Sequence, residues 1–414
     1  MDASAVIIAL GLLIFSAYLF NGLFSYTRIP NVLLLLLAGI LFGPVTGWVE
    51  PADFGQVGPI FTSITLVLIL FESGTKLQLS EVARSMGSAT LLTVFHFLVT
   101  AAVAGGIAYG LAHVPPIGAA FFGCIVGGTS SAIVIPIVNQ LGMDARGGAI
   151  LLLESALSDV LCLVTGLSLL SAMEEGVFHL GPVLLGILRS FLIALVAGIV
   201  LGLIWSVVIK WIRRMQTPLF SNLAMVLLLY GAVEKLGFNG GIAVLGFGIT
   251  LGNAHLLGKT SMGKWFASQE LLLGEREFFA ELAFIIQTYF FVYVGIHMQF
   301  AGWTPYLTAL LIVVLILVMR PFIVRMLVRG KMPLKDLDTM AFMAPKGLVP
   351  AILASLPLQR GLAQGKPIQD LTYAMIFISI LVCTLLIAFV QRHPFSVAGL
   401  KRKAKEEESK EVKW

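Results

Sequence analysis

Thirteen apolar runs follow one another along this chain with short polar links between them, and that succession limits the fold more than any other feature. A helix that crosses the hydrocarbon core of a bilayer needs ~20 mostly apolar residues. Lipid offers no partner to an unpaired backbone group, so a spanning segment must satisfy its own hydrogen bonds. The runs occupy 4–25, 31–48, 57–75, 86–111, 116–141, 146–172, 182–211, 218–236, 240–255, 277–298, 303–328, 337–358 and 369–391. They use up most of the 414 residues and leave no room for a large soluble domain. Only 12% of residues are charged, about half the soluble norm of ~25%. The apolar surface therefore faces lipid. The expected fold class is an all-α polytopic membrane protein with 13 transmembrane helices, one unit over 1–391 followed by a charged tail at 392–414.

The basic residues give the orientation. Of the 27 Lys and Arg, 21 fall in or beside the loops after the odd-numbered segments, among them Arg28, Lys76, Arg84, Arg146, Arg213, Arg214, Lys259, Arg325 and Arg329. The opposite loops hold Lys235, Arg360 and Lys366. Cytoplasmic loops carry the Lys/Arg excess, so the N-terminus is expected outside and the C-terminus in the cytoplasm, in a cell (inner) membrane. The net charge of +5 reflects this topology and not a nucleic-acid surface. The opening MDASAVIIALGLLIFSAYLF has no basic stretch before its apolar run and no small-residue cleavage site, so the first helix is expected to stay. Cys124, Cys162 and Cys383 all lie within apolar runs and read as small buried side chains.

Two runs are broken at mid-depth. Segment 5 contains Gly127-Gly128-Thr129-Ser130-Ser131 and then Pro136; segment 12 contains Ala344-Pro345-Lys346-Gly347 and then Pro350. If segments 1–6 and 8–13 are two six-helix halves joined by segment 7, each break falls in the fifth helix of its half, and the halves are inverted. Interrupted helices at matching positions of inverted repeats point to a transporter's binding site.

Charges inside the apolar runs are the next candidates, since an ionisable group at mid-bilayer costs about 2.5–3.5 kcal/mol on insertion scales. Segment 6 carries Glu154 and Asp159. They are five residues apart, so their side chains diverge by roughly 140°. Ser155 shares a face with Asp159, and Ser158 shares one with Glu154. Asp159 with Ser155 and carbonyls freed at the Thr129-Ser130-Ser131 break suits a hard monovalent cation. A proton and a cation competing for one carboxylate is all that coupled exchange requires. Arg320, deep in segment 11, is the expected structural partner of Glu154, because a lone buried charge is costly. Lys346 stands at the break in segment 12, where its charge offsets half-helix dipoles. Glu72 ends segment 3 and is a candidate for the cytoplasmic mouth of the site. Glu281, His96 and Arg189 rank lower: a span-end acid, a helix-packing histidine and an outward-reaching arginine.

These residues together resemble the monovalent cation/proton antiporter superfamily, over nearly the whole chain. The nearest local likeness is to the NhaP-like branch, whose sixth helix carries Glu-Ser-x-x-Asn-Asp; here it reads Glu154-Ser155-Ala156-Leu157-Ser158-Asp159. That branch has an Arg in helix 11, matched by Arg320, and Arg-Gly-x-Val-x-Ala in helix 12, where this chain has Lys346-Gly347-Leu348-Val349-Pro350-Ala351. The resemblance implies a carrier at Asp159, with Ser155, Glu72 and the backbone near Thr129 coordinating and Glu154–Arg320 structural. It also implies a homodimer without a cofactor, in which a core domain (helices 4–6 and 11–13) moves elevator-like against a dimer domain (helices 1–3 and 7–10). Two departures stand out. Thr129-Ser130-Ser131 replaces the Thr-Asp-Pro of that branch and is similar to potassium-efflux relatives, which leaves Na+ against K+ open. Ser158 replaces an Asn that is Asp in electrogenic relatives, and helix 10 has no Lys, which favours electroneutral exchange.

Other classes fit less well. A cation channel wants a continuous polar pore, where this chain has one central acidic site. An intramembrane protease, the enzymatic reading, needs a Ser–His pair or two facing Asp residues, and Asp159 is the one mid-membrane Asp. An ion-coupled symporter of an organic solute on a similar repeat is the remaining alternative.

Overall fold

The computed structural model describes residues 3–27, 29–55, 57–77, 79, 87–141, 143–175, 180–214, 219–254, 271–300, 302–328 and 333–392. The tail beyond 392 lies outside them, as do Arg28, Arg84, Lys259 and Arg329 of the charge-bearing loops. The described residues form helices α1 (Ala3–Thr27), α2 (Asn31–Ile40), α3 (Val57–Lys76), α4 (Ser88–Gly110), α5 (Pro116–Ile125), α6 (Ser131–Leu141), α7 (Ala145–Glu175), α8 (Leu180–Ile212), α9 (Leu219–Lys235), α10 (Gly240–Gly252), α11 (Leu273–His297), α12 (Thr304–Leu327), α13 (Leu334–Phe342), α14 (Leu348–Gln359) and α15 (Gly365–Arg392). No strand occurs among the described residues.

Segment 5 of the sequence is thus α5 plus α6, and segment 12 is α13 plus α14. Seven described helices (α3, α4, α7, α8, α11, α12 and α15) are long and apolar enough to cross a membrane by length and composition. Others are short: α10 covers Gly240–Gly252, and α2 widens into a π-turn at Leu41–Val45 around Pro44. A proline removes one backbone donor and crowds the preceding turn, which accounts for the shift from α to π there. Large side chains on the outer surfaces of α1, α8 and α12, such as Phe15, Ile204 and Phe322, are exposed, as lipid-facing positions are.

Small residues set the helix spacing. A Cβ on Gly39 (α2) would meet the Gly295 Cα of α11 at 2.9 Å, and one on Gly295 would meet the Gly39 Cα at 2.9 Å. The two glycines therefore face each other backbone to backbone. In lipid there is no hydrophobic drive between helices, so close van der Waals approach of this kind supplies the association energy. Glycines serve the same purpose where Gly246 of α10 meets the Leu195 carbonyl of α8 and where Gly248 of α10 meets the Phe71 carbonyl of α3. The most extensive packing joins α10 to α8 and α3, α11 to α2, α4 to α5, and α15 to α12 and α14.

Candidate functional site at the crossing of two broken helices

The two breaks meet. Between α5 and α6, residues 126–130 leave the helix; between α13 and α14, residues 343–347 do. The causes are local. Gly127-Gly128 carry no Cβ to hold a helix, and Pro345 disfavours the helical region for Ala344 before it. Pro350 then sits in the first turn of α14, where the missing N–H would have had no intrahelical partner. The Ser130 amide donates to the Pro345 carbonyl at 2.8 Å, tying one break to the other. A Cβ on Gly347 would collide with the Ser130 side chain, so only glycine permits this crossing.

Non-helical backbone in a buried setting must find partners elsewhere. Three of those partners come from one sector of α7. The Gly128 amide donates to Cys162 Sγ (3.0 Å), and the Thr129 amide donates to Ser158 Oγ (3.0 Å). The Ser155 hydroxyl donates to the Thr129 carbonyl (3.0 Å). From the other break, Lys346 Nζ reaches the Gly128 carbonyl at 2.7 Å, just past the C-terminal end of α5, where a cation opposes the partial negative charge. The Lys346 amide donates to Ser379 Oγ of α15 (3.0 Å). Helical geometry explains the grouping. At ~100° per residue, Ser155, Ser158, Asp159 and Cys162 fall within about a third of a turn.

Asp159 lies in the same sector, 7% exposed. Its Oδ2 accepts from the Ser131 hydroxyl at 2.8 Å, and the Ser131 backbone amide, first of α6, faces the same carboxylate. The carboxylate thus sits at the positive end of the α6 dipole. Glu154 points the other way. Arg320 of α12 donates to both of its oxygens, at 2.6 and 2.8 Å, and through Nε to the Met340 carbonyl of α13 at 3.0 Å. Both side chains are fully buried. Two carboxylates five residues apart therefore differ in kind: one closed in a bidentate ion pair, the other held by a neutral hydroxyl.

The remaining sequence candidates are placed as follows. Thr129 and Ser130 are buried at the α5–α6 break. Ser158 faces that break with Ser155 and Asp159, not Arg320 with Glu154, because it falls between the two faces. Glu72, near the C-terminus of α3, pairs with Lys76 one turn on at 2.5 Å, and Asp159 is not its partner. His96 of α4 is buried, with Thr100 Oγ1 3.5 Å from Nδ1. Arg189 is exposed on α8. Two residues of the site stand out only in the structure: in the sequence Ser131 is one member of a break, and Cys162 is a small buried side chain. Helical spacing from Asp159 to Cys162 was a usable signal for the second. For Ser131, only the position directly after the glycines hinted at a helix start.

Comparison with known proteins gives the setting. The sequence model of the family described as sodium/hydrogen exchanger, transmembrane, matches residues 11–393. The Na(+)/H(+) antiporter 1 of Methanocaldococcus jannaschii is 27% identical over 372 residues, covering 86% of this chain and 83% of that protein. The K(+)/H(+) antiporter NhaP2 of Shewanella sp. strain ANA-3 is 24% identical over 372 residues, 86% of this chain; the chain spans 61% of that relative's length. The solved structure of the sodium proton antiporter MjNhaP1 from Methanocaldococcus jannaschii at pH 8 superposes with a TM-score of 0.73 at 23% identity, over 94% of this chain and 100% of that one. The likeness to that structure carries the fold, and the family match covers the broken helices and the acidic helix between them: the chain is a member of the transmembrane sodium/hydrogen exchanger family, a cation/proton antiporter of the NhaP-like kind.

Proposed function

We propose that this protein is a secondary antiporter that exchanges Na+ or K+ for H+, one for one, with Asp159 as the group that proton and cation share. One observation carries this reading. Among the described residues Asp159 is a buried carboxylate without a basic partner, at the junction of two interrupted helices, while the neighbouring carboxylate, Glu154, is neutralised by Arg320. An unpaired carboxylate in low dielectric favours taking up a positive charge, and a proton or a dehydrated cation satisfies it equally in sign. Ser155, Ser158, Thr129 and Ser130 frame the site; Glu72 lies at its cytoplasmic mouth. One charge for one charge makes the cycle electroneutral.

Thirteen crossings in two inverted repeats, with the N-terminus outside, give the topology of the proposed cycle. Helices α4–α7 and α12–α15 form the moving core, and α1–α3 and α8–α11 form the dimer domain. The packing supports this division, since the most extensive helix contacts lie within each group and those such as α3 with α14 or α2 with α15 are slight. The protein acts as a homodimer in the inner membrane and uses no cofactor. Potassium stands beside sodium as substrate because Ser130 occupies the place of an acidic residue in the NhaP-like branch, and curated relatives of both ion types match the chain.

The test is vesicle exchange. Wild type and Asp159→Asn are reconstituted side by side, and internal pH is followed on addition of Na+, K+ or Li+ with and without a clamp on membrane potential. Proton movement that the clamp leaves unchanged and that Asp159→Asn abolishes is the expected result. No proton movement with any of the three cations would refute the antiport reading.

A further inference from the structure

We propose that Ser131 is a direct ligand of the transported cation and a determinant of which cation is chosen. The inference deepens the reading of Asp159 as carrier and rests on it.

The hydroxyls around Asp159 have different engagements. Ser155 donates its proton to the Thr129 carbonyl (3.0 Å). Ser158 donates to the Ser155 carbonyl (3.0 Å) and accepts from the Thr129 amide (3.0 Å). Both hold the backbone of the break in place, as the Cys162 sulfur does for the Gly128 amide. Ser131 alone among these four side chains is aimed at the carboxylate itself, 2.8 Å from Oδ2. A hydroxyl carries one proton and two acceptor lone pairs. While it donates to Asp159, its lone pairs remain free for a cation seated against the same carboxylate. The carboxylate and the hydroxyl then form a pair of hard oxygens of the kind that alkali cations prefer.

Accessibility points the same way. Thr129, Ser130, Ser155 and Ser158 are each 5% exposed or less, whereas Ser131 is only half-buried. An arriving ion therefore meets the Ser131–Asp159 edge of the cluster before the hydroxyls behind it. Ser131 also opens α6, so its Cα is fixed by the helix start and the crossing of the two breaks, and one torsion separates that Cα from the hydroxyl. A short side chain on a fixed backbone holds its oxygen at a narrow range of distances from the carboxylate, and such a distance discriminates by ion size. The arrangement is the small-scale counterpart of a filter whose oxygens replace hydration water.

The experiment compares wild type, Ser131→Ala, Ser131→Thr, Ser131→Cys and Asp159→Asn in vesicles, with Na+, K+ and the softer Tl+ as substrates. Ser131→Ala is expected to raise the half-saturating Na+ or K+ concentration about tenfold, the effect of losing one good ligand contact, with a smaller fall in maximal rate. Ser131→Thr, which keeps the hydroxyl, restores the half-saturating concentration. Ser131→Cys substitutes a soft sulfur and moves the preference from Na+ toward Tl+. A purely structural Ser131 would change all three ions alike, and an unchanged Tl+-to-Na+ ratio in Ser131→Cys overturns the proposal. So does a wild-type half-saturating concentration in Ser131→Ala. If either occurs while Asp159→Asn is inactive, the carrier assignment stands and only the ligand role falls. Exchange surviving in Asp159→Asn overturns both. Should the alanine variant fail to fold, the threonine and cysteine variants carry the comparison.

Discussion

Glu154→Gln should cost this protein about 3 kcal/mol of stability while leaving the exchange chemistry intact in a compensated background. The figure follows from the geometry. Arg320 and Glu154 are both fully buried and joined by two bonds of 2.6 and 2.8 Å. Hydrogen bonds to charged groups contribute roughly 1.5–3 kcal/mol each, and breaking a buried pair by removing one partner costs about 3–5 kcal/mol. Glutamine keeps one acceptor oxygen for the guanidinium, which places the loss at the lower end. What remains is an uncompensated cation held by the glutamine and the Met340 carbonyl. Glu154→Gln/Arg320→Gln removes that charge and lets two amides pair, so the double variant should recover at least half of the loss. Reversible chemical unfolding of purified protein, arranged as a double-mutant cycle, reads the coupling. A single-variant cost under about 1 kcal/mol, or a double variant whose cost equals the sum of the two singles, would refute the argument that the pair is a coupled structural element. Vesicle exchange on the same proteins adds the functional arm: the double variant retains proton exchange, in contrast to Asp159→Asn. A stable double variant without exchange would place Glu154 in the transport machinery.

Gly347→Ala should abolish exchange while far-ultraviolet circular dichroism still reports full helix, because the new Cβ separates the two breaks at Ser130 without disturbing the helices themselves. Ser130→Gly in the same chain removes the obstructing atoms and should restore part of the activity; no rescue would mean that the crossing is not the cause. One-for-one competition at a single carboxylate predicts that the half-saturating cation concentration rises as pH falls, approaching about tenfold per pH unit once the carrier is mostly protonated. A steeper rise would require a second proton. Arg360, just past the C-terminus of α14, bonds Glu174 of α7 at 2.8 Å and lies 3.9 Å from Glu234 of α9. If α7 and α14 move together past α9, a disulfide between Arg360→Cys and Glu234→Cys blocks exchange, and one between Arg360→Cys and Glu174→Cys does not.

The all-helical class, the positions of the two breaks and the opposite bearings of Glu154 and Asp159 were legible in the chain itself. The physics behind each is local. Lipid forbids unpaired backbone, so apolar runs become helices; Gly-Gly and Ala-Pro cannot continue one; and five residues of α-helix turn a side chain through a fixed angle. The bonds from Ser130 to Pro345 and from Lys346 to Gly128 span more than two hundred positions. The engagement of Ser158 and Cys162 with the break, and of Ser131 with Asp159, likewise depends on where non-helical backbone passes in space. No periodicity records that path. Sequence alone fixed which groups must be buried and which stretches must unwind. Only the tertiary structure decided which buried group meets which freed backbone amide, because those partners are chosen by the crossing of two irregular segments whose shape each helps to set.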